Sequence, residues 1–197
     1  MISNSTVNVK TEPSSRIVTV REARNWAKIP SQDDDSAIDS IIDLCQKNLE
    51  DYLDRRFISQ TVEWFFDGCP YGATLTLPIG ADVTAINSIS YYTSSDELKT
   101  FSASNYTLDS DSIPNRILLS TGNFWPTELR GHKSFVIDFT VGKSDASTVN
   151  PRLRTAVLKM VASQMDNGRI NDYLEANSWI QTALIEVFDL KTHFSAV

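Results

Sequence analysis

The chain has 197 residues, 41% of them hydrophobic and 22% charged, which suits one domain or two small ones with a core of useful size. Its formal net charge is −7, so most of the surface repels a polyanion, and no Lys/Arg cluster longer than a pair offers a local basic patch. Two cysteines, Cys45 and Cys69, cannot supply a disulfide framework or a four-ligand zinc site by themselves, and a reduced, cytoplasmic setting is expected.

Residues 1–18 are rich in Ser, Thr and Asn, with Pro13, and read as an extended arm that is mobile in the isolated chain. They lack the apolar core of a secretory signal, and no run downstream approaches the length of a membrane span. TVREARNWAKIP predicts a short helix: Thr19 and Glu22 form a capping box, Val20, Ala23, Trp26 and Ala27 share a face, and Pro30 stops it. DDDSAIDSIIDLCQKNLEDYLDRRF, residues 33–57, predicts a longer one. Ser31 or one of Asp33, Asp34 and Asp35 caps it, with acids at the positive end of the helix dipole and Arg55 and Arg56 at the negative end. Ile38, Ile41, Ile42, Cys45, Leu49, Tyr52 and Leu53 recur at steps of three and four, a stripe that must be buried. The outward side is acidic: Asp35, Asp39, Asp43, Glu50 and Asp54.

From residue 59 the period changes from 3.6 to 2. QTVEWFF, ATLTL, INSISYYT, NYTLD, NRILLS and SFVIDFTV alternate apolar and polar residues, and turns (DGCPYG, PIGAD, SSDE, DSIPN, GNFWP) separate them. Short strands with frequent turns argue for an antiparallel unit of about six or seven strands over 59–147. At VNPRLRTAVLKMVASQMDNG the helical period returns. Asn150 caps, Pro151 takes the first helical position, Gly168 closes, and Leu153, Val157, Met160 and Val161 face inward. A last helix starts near Asn171 or Asp172, with a stripe of Ile180, Ala183, Leu184, Val187 and Phe188, before the tail KTHFSAV at 191–197. Each helical pair has an apolar stripe and no partner of its own. The economical α+β solution joins 19–58 and 148–190 in one small bundle of two N-terminal and two C-terminal helices, with the β domain inserted between.

Signals for catalysis are close to nil. His132 and His193 have no His, Cys or acid at ligand spacing, and no nucleophile elbow, zinc-protease, P-loop or dinucleotide motif occurs. Asp109 and Asp111 stand in LDSDSIPN, where turn formation explains them better than paired-carboxylate chemistry. No catalytic, cofactor or metal residue is therefore assigned. Aromatic residues crowd the β block, including Trp64, Phe66, Tyr71, Phe124 and Trp125. They suit core and interface packing first, and a carbohydrate- or cell-surface-binding module second.

Four stretches resemble the head–tail connector (adaptor) proteins of long-tailed bacteriophages, in the longer form with a β insert. VTVREARNWAKIPSQDDDSAIDSIIDLCQKNLEDYLDRRFISQTVEW is similar to that family's opening helices and first strand. LPIGADVTAINSISYY is similar to its Leu-Pro turn and strand, and NYTLDSDSIPNRILLSTGNFWP to its Y-x-L-D, P-x-R-I and W-P passage. FVIDFTVGKSDASTVNPRLRTAVLKMVASQMDNGR is similar to its strand, turn and Pro-capped helix, although Gly142-Lys143-Ser144 stands where the family often has Gly-Tyr-Gly.

The resemblance covers about residues 18–190 and implies a structural protein of the virion neck, assembled in the host cytoplasm. Such a protein forms a ring of about twelve copies under the portal by closed heterologous contacts. It extends the DNA channel without specific DNA binding and docks a tail-side stopper or tail completion protein. It needs no cofactor and no membrane. On this reading the helices form the inner wall, and Asp35, Asp39, Asp43, Glu50 and Asp54 line the channel. Trp125 and Pro126 are candidates for contact between subunits. Lys191, Thr192, His193 and Phe194 are candidates for docking on the portal, with Phe194 as the apolar anchor.

Overall fold

The computed structural model describes residues 3–167. They fall into two compact units: residues 3–13 with Ser59–Gly142, and Ser14–Ile58 with the chain from Lys143.

The helical unit contains α1 (Val20–Trp26), α2 (Asp35–Leu53) and α3 (Pro151–Asn167). All three contribute to one apolar core. Ala23 comes from α1; Ile38, Ile42, Cys45, Leu49 and Leu53 from α2; Leu153, Ala156, Val157, Met160 and Val161 from α3. The α2 stripe is buried as its spacing requires, with Ile41 and Tyr52 half-buried at its margin. Helices separated by a long insertion therefore share a core. The expected fourth helix lies outside the described residues.

Local chemistry sets the helix ends. The Glu22 N–H donates to Thr19 Oγ1 at 3.2 Å, and the Thr19 N–H donates back to Glu22 Oε2 at 2.8 Å. The other Glu22 oxygen accepts from Arg154 at 2.6 Å, so the cap of α1 also reaches α3. These donors, the Thr19 N–H first, hold the Glu22 carboxyl below its ordinary range. Asp34 stands at the N-cap of α2 without a side-chain capping bond, while Arg24 reaches Asp35 at 3.0 Å. At the other end Asp54 takes the left-handed conformation, and the Arg55 N–H returns to the Glu50 carbonyl at 3.0 Å. For α3 the Asn150 side chain accepts from the Arg152 N–H at 3.0 Å, ahead of Pro151 in the first turn.

The β unit holds eight strands: β1 (Ser3–Thr11), β2 (Gln60–Asp67), β3 (Thr74–Thr76), β4 (Val83–Tyr92), β5 (Leu98–Phe101), β6 (Tyr106–Asp109), β7 (Arg116–Leu119) and β8 (Phe135–Val141). One sheet runs β1-β2-β8-β4-β5 and the other β3-β7-β6, with every pair antiparallel. The β2–β8 register pairs Val62 with Phe139, Trp64 with Ile137 and Phe66 with Phe135, which puts all six on one buried face. Phe66 and Phe135 stack at 5.2 Å. Leu75 and Ile117 of the smaller sheet belong to the same core.

Residues 1–18 do not act as one arm. Ser3–Thr11 is an edge strand in the sheet, and Ile17 and Val18 are buried in the helical core. The strand escaped sequence reading for a physical reason. Its side chains from Asn4 to Thr11 are exposed on both faces, so no burial imposed an apolar alternation on them.

Asn115 is the polar centre of the β unit. It is 1% exposed, in the DSIPN turn. Its N–H donates to Gly80 O at 3.1 Å, and its carbonyl accepts from Leu77 N at 3.0 Å. Its Oδ1 accepts from Val83 N at 2.9 Å, while Nδ2 donates to Ser110 O and Ser112 O at 2.9 and 2.8 Å. One side chain thus fastens the PIGAD turn to the β6–β7 connection. Replacing Asn115 with Ala strands the buried Val83 N–H and removes the partner of two part-buried carbonyls, those of Ser110 and Ser112. Chemical denaturation is expected to show a loss of about 3 kcal/mol. Asn115→Asp, which keeps one acceptor and loses both donors, is expected to fare no better.

Candidate functional site

Among the described residues, no group of three His, Cys, Asp or Glu side chains could hold a metal ion. The acidic turn at Asp109 is occupied by its own structure. Its carboxylate accepts from the Ser112 hydroxyl at 2.7 Å, Arg116 Nε at 2.7 Å and the Ser112 N–H at 3.2 Å, which hold it down to about 2. Cys45 is buried, and burial pushes its thiol up to about 12, the opposite of a reactive cysteine. His132 is exposed in its loop.

The acids expected on the outward side of α2 have separate fates. Glu50 is not on that side: it is 5% exposed and accepts from the Phe57 N–H at 2.9 Å and from Gln46 Nε2 at 3.2 Å. Gln46 Oε1 in turn accepts from the Ile17 N–H at 3.1 Å. This pair, one helical turn apart, secures the segments that precede α1 and follow α2. Burial pushes the Glu50 carboxyl above its ordinary range, against the pull of the Phe57 N–H and Arg56. The sequence reading missed this because a single Glu next to a Gln at i−4 looks like any solvated helix face. Asp39 and Asp43 both bind Arg16, with the second guanidinium contact to Asp43 at 2.8 Å. Asp35 binds Arg24. Asp54 is half-buried at the C-cap. Asp35, Asp39 and Asp43 are therefore matched by arginine, and this part of the acidic stripe is a set of clips for the 14–24 segment.

The GNFWP turn also divides. Trp125 is 5% exposed, donates its indole N–H to Gly72 O at 3.0 Å, and packs on Phe101 and edge-on to Phe135 at 5.3 and 6.1 Å. It belongs to the core of its own β unit. Pro126 is half-buried. The exposed aromatic of this turn is Phe124, at 83%, and across the Trp125–Gly72 bond stands Tyr71, at 91%. The two rings extend from loops that one hydrogen bond ties together. Sequence reading could not tell Phe124 from Trp125, because adjacent residues in a turn have no period to sort them. Lys191, Thr192, His193 and Phe194 lie outside the described residues.

No family model matches the sequence, and no curated protein matches it. Solved structures do match. A chain from the neck of a native gene transfer agent particle, computed with C12 symmetry, superposes with a TM-score of 0.70 at 21% identity. A chain from the neck of an empty particle, computed with C6 symmetry, gives 0.69 at 17%, and one from the native virion 0.69 at 18%. Each match covers 90% of this chain and 94% of the other. The chain thus has the fold of these particle components, through the β insert as well as the helices.

Two substitutions separate core from surface in the GNFWP turn. Trp125→Ala is expected to cost about 3–5 kcal/mol in denaturant unfolding. Phe124→Ala is expected to stay within about 0.5 kcal/mol of the parent. Glu50 gives a pH signature. Its folded-state pKa is raised, so its cost is absent below the unfolded value of 4.5 and grows as pH rises above it. Glu50→Gln keeps an acceptor for Phe57 and removes the charge. Thermal melts are expected to favour the variant at pH 7, with the difference closing as pH falls through the carboxylate range.

Proposed function

We propose that this chain is a structural subunit of the neck of a tailed-phage-like particle, an adaptor whose copies close into a ring under the portal. The observation that carries the reading is the near-complete, two-way overlap with chains from necks computed with C6 and C12 symmetry. A partial match would have left the β insert or the helices unexplained. A ring of about twelve copies is the stoichiometry that fits both symmetries. The portal lies on one side of the ring and a stopper or tail completion protein on the other, with residues 191–194 as the docking segment for the portal.

In this reading the genome passes through without specific contacts. The formal charge of −7 serves that end by repelling phosphate. Asp35, Asp39, Asp43 and Asp54 remain candidates for the channel side, and the arginine partners of the first three reduce what those three contribute. Glu50 is withdrawn from that set. The aromatic residues of the β unit support assembly over a sugar-binding platform, since Trp64, Phe66, Phe101, Trp125 and Phe135 all pack into the core. Tyr71 and Phe124 remain as apolar contacts for an adjoining protein.

Individual contacts in a closed ring can be weak and still add up. The purified chain is therefore expected to be monomeric or mixed at low concentration, and to form rings with the portal protein. Mass photometry and negative-stain microscopy of the two proteins mixed measure this directly. Failure to form any ring, at any ratio of the two, would overturn the reading.

A further inference from the structure

We propose that β1 is an exchanged strand: within the ring, residues 3–11 of one copy complete the five-stranded sheet of the next copy by pairing with that copy's β2. The inference rests on the ring reading above and adds what links the subunits.

β1 is set apart from the rest of the chain. No β1 side chain belongs to either apolar core. Val7 and Val9 lie opposite Trp64 and Val62, on the core face of the sheet, yet remain 39% and 43% exposed. The strand is held by its backbone ladder to β2, by the Lys10 ammonium at 2.7 Å from Asp138 and 3.1 Å from Glu63, and by Asn4 on Asp67 at 3.2 Å. Both cores can therefore form before β1 is placed.

The chain just after β1 is anchored elsewhere. Arg16 is clamped by Asp39 and Asp43, the Ile17 N–H is bound by Gln46, and Ile17 and Val18 are buried in the helical core. Between the two anchors lie Glu12, Pro13, Ser14 and Ser15. Glu12, Ser14 and Ser15 are exposed, and the boundary between the compact units falls after Pro13. A firm anchor, a short exposed link with a proline and a strand held mainly by its ladder make a hinge suited to strand exchange.

Identity supplies the complementarity. The sheet of every copy presents the same β2 register, the same Asp67 and the same pair of acids, Glu63 of β2 and Asp138 of β8, to the β1 of any copy. A link of four residues spans at most about 14 Å, so the acceptor must be an immediate neighbour. In a closed ring each copy donates one strand and accepts one, a heterologous contact that leaves no strand unpaired. The opposite edge, β5, is only Leu98–Phe101 and offers a shorter ladder.

The test uses the full chain carrying Thr11→Cys and Thr61→Cys, which pair across β1 and β2, in a Cys69→Ser background. Cys45 stays silent because it is buried. Rings assembled with the portal protein, confirmed by mass photometry, are treated with a short bismaleimide and run on a denaturing gel. The expected result is that nearly all cross-linked chains form a ladder of covalent multimers up to the ring number. Dilute monomer treated alike is expected to give only intramolecular product. Intact rings whose cross-linked chains run solely as monomers would overturn the exchange and leave the ring reading standing. Absence of any ring removes both. A second chain lacking residues 1–12 is expected to melt cooperatively and to form no stable ring, while rings of undiminished salt resistance from it would also overturn the proposal.

Discussion

The insertion of a β unit into a helical core rests on one local meeting of the chain with itself. The polypeptide leaves the helical unit at Ile58 and re-enters it at Lys143, and those two points must coincide. They do so through the Lys143 N–H on the Phe57 carbonyl at 2.9 Å and a parallel bridge between Ile58 and Lys143. Phe57 is fixed in turn, because its own N–H is bound by the buried Glu50 carboxylate. With the two ends clamped, α3 can complete the core that α1 and α2 begin, although the intervening chain folds on a different period. Loop closure of that length carries an entropic cost that grows only slowly with the number of residues, so a clamp of a few hydrogen bonds over buried apolar neighbours suffices.

Buried polar side chains do the fastening throughout. Gln46 and Glu50 tie down the segments on either side of the first two helices, and Asn115 fastens two turns of the β unit. In each case the side chain satisfies backbone groups that belong to no helix or ladder. An unmet buried donor or acceptor costs more than a met one contributes, so such residues tolerate little change. Gln46 also steadies Ile17, the residue that follows the Arg16 clip.

On the neck reading proposed above, the working surface is what the fold leaves uncovered. Here that means two loop aromatics on one hydrogen-bonded support, and a strand that lies outside both cores. Neither resembles a pocket. Both suit repeated contact with adjoining copies or rings, where closure of the assembly compensates for modest individual interfaces.

Periodicity alone determined much of this protein. The stripe from Ile38 to Leu53, the Thr19–Glu22 box, Pro151 at a helix start and the alternation in Phe135–Val141 are local patterns, because burial of one face imposes them on contiguous residues. The antiparallel insert and the shared helical core followed from the same patterns. What periodicity could not decide was the role of single polar or turn residues. Whether Glu50 faces solvent or a backbone N–H depends on where Phe57 lands, and whether Phe124 or Trp125 turns inward depends on Gly72. Placing Ser3–Thr11 in the sheet likewise depends on the free edge of β2, some fifty residues away in sequence. Such partners are brought together only when distant segments pack, so only the tertiary structure could name them.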